Sequence, residues 1–165
     1  MVKIPIRYIP FKLKTKDKQK QLKMLMRSRK DYKKHNYITR KKVSSFQSKV
    51  SPHILKARSI YKTRKIIPNT SLAKATGCSL NGLKQIVKKG EGAYFSSGSR
   101  PNQTAQSWGL ARLASSITGG KAAAVDFSII EKSCNHQKKA YKLAVQSRKK
   151  YGYGKGKTKK HLFKN

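Results

Sequence analysis

The chain has 165 residues, with 41 Lys+Arg against 5 Asp+Glu and a formal net charge of +36. Such a field repels itself and attracts anions at long range, so a polyanion is the expected partner. Nucleic acid ranks ahead of an anionic membrane surface or an acidic protein because phosphates carry the densest charge.

The five acids, Asp17, Asp31, Glu91, Asp126 and Glu131, offer no motif-like carboxylate pair for metal-assisted or acid–base chemistry, and no nucleophile has a recognisable neighbour pattern. The expectation is a non-enzymatic protein with no cofactor and no small-molecule substrate. No stretch approaches the length of a membrane span, and Met1-Val2-Lys3-Ile4-Pro5 has no signal-peptide core, so an intracellular protein without a membrane span is expected. The hydrophobic fraction of 36% implies a small core. Basic residues crowd the ends: 22 lie in residues 1–65, 7 in 66–131 and 12 in 132–165. That division suggests a basic N-terminal arm over 1–65 with one or two helices, a compact helical core with a Gly/Ser-rich loop over 66–131, and a basic C-terminal helix and tail over 132–165.

In chain order, Ile4, Pro5, Ile6, Tyr8, Ile9, Pro10 and Phe11 form an apolar stretch whose prolines forbid a helix interior, which reads as an extended docking strand. From Lys16 to Lys34 the positions Leu22, Leu25, Met26 and Tyr32 fall near helical spacing among lysines and arginines, giving a basic helix with a narrow apolar stripe. Residues 37–51 mix Arg40, Lys41, Lys42 and Lys49 with serines and read as a loop suited to phosphates. Ser51-Pro52 starts a short helix that ends near Lys65.

Between Asn69 and Lys89, the layout NTSLAKATGCSLNGLKQIVKK matches a helix-turn-helix spacing: small Ala73 on the first helix, Gly77 in the turn, Leu83 closing the core. Asn81, Lys84, Gln85 and Lys88 then face outward, and Gly82 weakens the second helix. DNA reading by this pair and a plain helical hairpin are both open. Residues 89–104 read as an almost uncharged Gly/Ser-rich loop without a phosphate-binding glycine motif. Thr104 caps a core helix carrying Trp108, Leu110, Leu113 and Ile117, which stops at Gly119-Gly120; Arg112 on it can pair with Asp126 or Glu131.

A further helix lies within Ser133–Lys150, followed by Tyr151-Gly152-Tyr153-Gly154-Lys155-Gly156-Lys157, a composition able to stack on bases while tracking phosphates. Cys78 and Cys134 are expected as buried or free thiols, and Cys134-x-His136 is at best half of a metal site.

The segment GAYFSSGSRPNQTAQSWGLARLASSITGGKAAAVD, with YIPFKL, SRKDYKKHNY and LAKATGCSL upstream, resembles the signature of an uncharacterised family of small basic proteins of large double-stranded DNA viruses. The resemblance covers about residues 8 to 134 and implies a viral setting, with no activity or catalytic residue attached.

Together these readings predict a mainly α protein: a small helical core with extended basic N- and C-terminal arms. The expected role is a minor capsid or internal cement protein of the virion, made in the host cell, that bridges other capsid proteins and contacts packaged DNA. The alternative is a DNA-binding protein, as genome condenser or helix-turn-helix regulator. The cations expected to meet a polyanion are Lys23, Arg27, Arg29, Lys30, Lys33, Lys34, Arg40, Lys41, Lys42, Lys84, Lys88, Arg148, Lys149 and Lys150. Ile4, Tyr8, Ile9, Phe11 and Phe163 are the expected anchors on a protein partner, and they favour the virion role because a DNA condenser needs none.

Overall fold

In a computed structural model of the chain, which describes residues 1–154 and 158–164, helices dominate as expected. The elements run β1 (Val2–Pro5), a 3-10 turn (Ile6–Tyr8), α1 (Thr15–Tyr32), α2 (Pro52–Tyr61), α3 (Thr70–Thr76), α4 (Leu80–Ser96), α5 (Ala105–Ile117), α6 (Lys121–Val125), α7 (Phe127–Ser133), α8 (Lys139–Tyr151) and β2 (Lys160–Phe163). They fall into two compact units that are discontinuous in sequence. One comprises Met1–Lys49, Glu91–Trp108 and Lys157–Asn165; the other comprises Val50–Gly90 and Gly109–Gly156. These bounds differ from the expected divisions at 65 and 131. The chain passes between units inside α4 and inside α5, where local composition carries no linker signal.

In the first unit the chain ends pair instead of extending as free arms. β1 and β2 are antiparallel, with Val2 opposite Phe163 and Pro5 opposite Lys160. Ile4, Tyr8 and Ile9, expected as anchors for a partner, are 0%, 5% and 2% exposed and build this unit's own core with Leu13, Leu25 and Val43. Burial of apolar surface close at hand outweighs keeping it for a partner, because each such side chain gains about 1.5–3 kcal/mol.

The stripe that α1 buries is Asp17, Gln21, Leu25 and Ser28, not the apolar set of Leu22, Leu25, Met26 and Tyr32. Only Leu25 is common to both. A mostly polar stripe is tolerated because each group is bonded: Gln21 Nε2 donates to the Tyr8 carbonyl at 3.2 Å, and Ser28 Oγ donates to the Phe95 carbonyl at 3.2 Å.

The Gly/Ser-rich stretch is not one loop. α4 continues through Gly90 and Gly92 to Ser96, and only 97–104 is irregular. Gly90 belongs in the helix because a Cβ there would lie 2.6 Å from Gly109 Cα, so the glycine permits close helix packing whose gain offsets its intrinsic cost of about 1 kcal/mol. Beyond Ser96, Gly98 has φ +122 and a Cβ there would meet Leu25 Cδ2 at 2.7 Å. Asn102 acts as a surrogate for backbone: its Oδ1 accepts from Val43 N at 2.7 Å, and its Nδ2 donates to the carbonyls of Val43 and Phe46 at 3.0 and 2.8 Å.

The second unit has a conventional apolar core that includes Ala57, Leu72, Leu83, Ile86, Leu113, Ile117, Ile130, Ala140 and Ala144. Ser51 caps α2 by accepting from His53 N, as its position before Pro52 suggested. Two short helices, α6 and α7, occupy a stretch for which no helix was expected. Cys78 and Cys134, expected as thiols, are joined in a disulfide across a sequence separation of 56, each lying opposite the other in an isolated antiparallel bridge. The bond ties the α3–α4 turn to the end of α7. Cross-linking a loop of that length removes enough unfolded-chain entropy to be worth about 4 kcal/mol. Reduction, or Cys78→Ser with Cys134→Ser, is therefore expected to lower unfolding free energy by about 4 kcal/mol in urea titrations, with reductant having no further effect on the double variant.

Candidate nucleic-acid interface

Three cations of the described residues, Arg27, Lys89 and Arg112, lie within ion-pair distance of a carboxylate. Two of them converge on Asp126, which is fully buried: Arg112 holds it with two bonds of 2.7 and 2.9 Å, Lys89 Nζ lies at 3.4 Å, and Ser116 Oγ donates at 3.0 Å. Of the two partners open to Arg112 in the sequence, Asp126 is the one it takes. That site is saturated from within. The positive charge left over is carried by helix faces and by the 33–42 segment.

In the second unit, α3 and the first part of α4 are joined by the three-residue turn Gly77-Cys78-Ser79, the element order of a helix-turn-helix. Asn69 caps α3 by accepting from Leu72 N at 2.7 Å. Gly77 ends it at φ +73, donating to the Ala73 carbonyl, a left-handed geometry that favours glycine. Leu72, Leu83, Ile86 and Val87 are buried together, and Ala73 packs against them. The unfavourable Gly82 has a packing reason: a Cβ there would lie 2.3 Å from Ser133 Cβ. Opposite this buried side, Asn81, Lys84, Gln85 and Lys88 are all exposed. Their spacing of three and four residues puts them on one strip of the helix. α8 buries Ala140, Ala144 and Ser147 and leaves Lys139, Lys142, Lys149 and Lys150 exposed.

In the first unit, Lys23, Lys30, Lys33, Lys34, Lys41 and Lys42 are exposed as expected. Arg27 is also outward, its side chain 77% exposed beside Asp31. A surface pair of this kind is weak and leaves the cation available. Arg29 is engaged internally, donating through Nε and Nη2 to the Ser97 carbonyl at 2.9 and 2.7 Å.

Arg40 is the clear correction among the expected phosphate contacts. It is 8% exposed, with its guanidinium 3.7 Å from the Tyr94 ring centroid. Its Nη1 donates to Ser28 Oγ and the Tyr94 carbonyl, both at 2.9 Å, and its Nη2 donates to Ser99 Oγ at 2.8 Å. Its backbone N donates to the Tyr94 hydroxyl at 2.9 Å. Burial pushes its pKa below the ordinary guanidinium value, but neutral acceptors and the ring face hold the ion without a carboxylate. Arg40→Met strands these acceptors and is expected to cost about 3 kcal/mol in denaturant unfolding. Binding per folded molecule to duplex DNA should be unchanged.

Of the expected anchors, Phe11 is 69% exposed, while Phe163 is half-buried against the first unit's core. Phe163 also lines an open groove of about 310 Å3 with Val2, Leu22, Met26, Lys23 and Lys164. The groove had no signal in the sequence because it depends on the pairing of the two chain ends.

Cys134 is committed to the disulfide, which removes the metal half-site. Among the described residues no cluster of three or more His, Cys, Asp or Glu is placed to hold a metal, and no helix is long and apolar enough to cross a membrane.

These features define a basic, mainly helical protein. Residues 5–135 match the model of a family of unknown function, DUF5824, and the chain belongs to that family. No curated protein and no solved structure matches it.

At the start of α1, Asp17 accepts from Ser45 Oγ at 2.6 Å and Ser45 N at 2.8 Å, and these bonds lower its pKa from the ordinary 3.8. A carboxylate so held stabilises the fold fully above pH 3.8 and loses that contribution as pH falls through its lower folded value. Asp17→Asn should therefore flatten the acid limb of the stability curve below about pH 4 in pH-dependent urea unfolding.

Proposed function

We propose that this chain is a non-enzymatic nucleic-acid-binding protein that neutralises phosphate with its helix faces and places the α4 strip against a duplex. The observation carrying this reading is the strip itself: Asn81, Lys84, Gln85 and Lys88 are exposed on a helix whose other side is core, directly after a three-residue turn. Lysine at Lys84 and Lys88 suits phosphates, whereas Asn81 and Gln85 have the amide pair that matches adenine in a major groove. Lys30, Lys33, Lys34, Lys41 and Lys42 in the other unit add sequence-independent attraction.

A second reading is that of a virion structural protein of a large DNA virus, bridging capsid neighbours. The burial of Ile4, Tyr8 and Ile9 removes three of the apolar anchors it relies on. Exposed Phe11 and Leu162, at 69% and 62%, are the observations that still favour it.

Fluorescence anisotropy on labelled duplexes at several salt concentrations tests the first reading. Affinity should fall steeply as salt rises, and Lys84→Gln and Lys88→Gln should each reduce the slope of log K against log salt by about 1. Gln85→Ala should change the ranking of duplex sequences more than the slope. No duplex binding at low salt overturns the proposal.

A further inference from the structure

The short turn after α8 holds an aromatic ring in the open. Tyr153 is 73% exposed, an unusual placement for a large ring unless something fixes it or uses it. It is fixed. The Arg148 guanidinium lies 4.0 Å from the Tyr153 ring centroid, and the same group is 5.3 Å from the Phe127 ring centroid. Arg148 is itself tied down, with Nη1 donating to the Ala124 carbonyl at 3.0 Å.

The backbone around the ring is equally constrained. Gly152 N donates to the Arg148 carbonyl at 2.9 Å, and Gly154 N donates to the Tyr151 carbonyl at 3.0 Å. Gly154, at φ +71, presses so closely on Val125 that a Cβ would fall 2.3 Å from Val125 Cγ2 and 3.2 Å from its backbone N. The aromatic therefore stands on a cation stack seated on the second unit's own core helices, while most of its surface is uncovered. Next to it in sequence, Lys149 and Lys150 are exposed, with no carboxylate within ion-pair distance among the described residues.

From this geometry we infer that Tyr153 is a stacking platform for an unpaired nucleobase, with Lys149 and Lys150 meeting the adjoining phosphates of a single strand. The chemistry follows from the arrangement. A ring backed by a guanidinium on one side offers its other face to a planar π system, and a pre-ordered ring loses little conformational freedom on binding. Bases in a duplex are already stacked and present edges and phosphates, so this platform selects unpaired nucleotides. The lysines alone would not discriminate strandedness. The inference rests on the nucleic-acid reading above and adds to it a second, differently shaped ligand.

The test uses the full chain and two probes: a labelled oligothymidine and a labelled duplex of equal length, compared by anisotropy at one salt concentration. Tyr153→Leu, which keeps apolar bulk and removes the ring, is expected to weaken oligothymidine binding about tenfold and leave the duplex within twofold. Tyr153→Phe, which keeps the ring, should bind both probes as the unaltered chain does. A single strand carrying 2-aminopurine should lose fluorescence on binding the unaltered chain and lose less with Tyr153→Leu. Unchanged oligothymidine binding by Tyr153→Leu, or an equal loss on both probes, overturns the platform while leaving duplex binding intact as a separate result. Failure of the unaltered chain to bind either probe overturns both readings.

Discussion

The fold is governed by a shortage of negative charge. With 41 basic side chains and five acidic ones, ion pairing cannot neutralise the molecule, and two of the acids, Asp17 and Asp126, are buried. Asp126 is buried and gathers Arg112, Lys89 and Ser116 around one carboxylate. Asp17 joins the first turn of α1 to the Ser45 segment, where a carboxylate also complements the helix dipole. The charge left over must face water or a partner, which is why the exposed helix faces are dense in lysine. Chain self-repulsion opposes compaction, and a covalent link between Cys78 and Cys134 counters it in the unit that carries the hairpin.

The two units solve the burial problem differently. The second packs aliphatic side chains and alanines from seven helices around Leu83, Leu113 and Ile117. The first buries an arginine, a glutamine and serines in a satisfied network, with Tyr94 serving both as a π face and as a hydrogen-bond partner for Arg40. Such a network is demanding, since every member needs its partner, and it accounts for much of the SSGSRPNQ stretch. Gly98 leaves room for Leu25, Ser99 accepts from Arg40, and Asn102 stands in for backbone opposite Val43. Residues that read in sequence as an uncharged Gly/Ser-rich loop thus hold the first unit's interior together.

This shifts the balance between the two functional readings. Apolar residues near the N-terminus count as anchors only while they are free, and Ile4, Tyr8 and Ile9 are not. Alongside exposed Phe11 and Leu162, the outward surface carries the polar and cationic α4 strip, the exposed lysines of α1 and the 33–42 segment, and the Tyr153 turn. The proposal of a nucleic-acid partner draws on these groups, because amides, ammonium groups and an aromatic face would correspond to base edges, phosphates and base planes.

Much of this was legible along the chain. The helix-turn-helix spacing of Ala73, Gly77 and Leu83, the Ser51 and Thr104 caps and the outward set on α4 all follow from local rules, in which neighbours three or four residues apart decide the outcome. The sequence by itself thus determined a mainly helical, strongly cationic protein and where several of its helices begin. Only the tertiary structure decided that the two ends pair as β1 and β2, that Cys78 meets Cys134, that Arg40 turns inward onto Tyr94, and that Gly90 and Gly82 are packing sites within a helix. Each of these depends on a partner far away in sequence, and neither periodicity nor composition carries information about which distant residue will supply the missing surface, acceptor or sulfur.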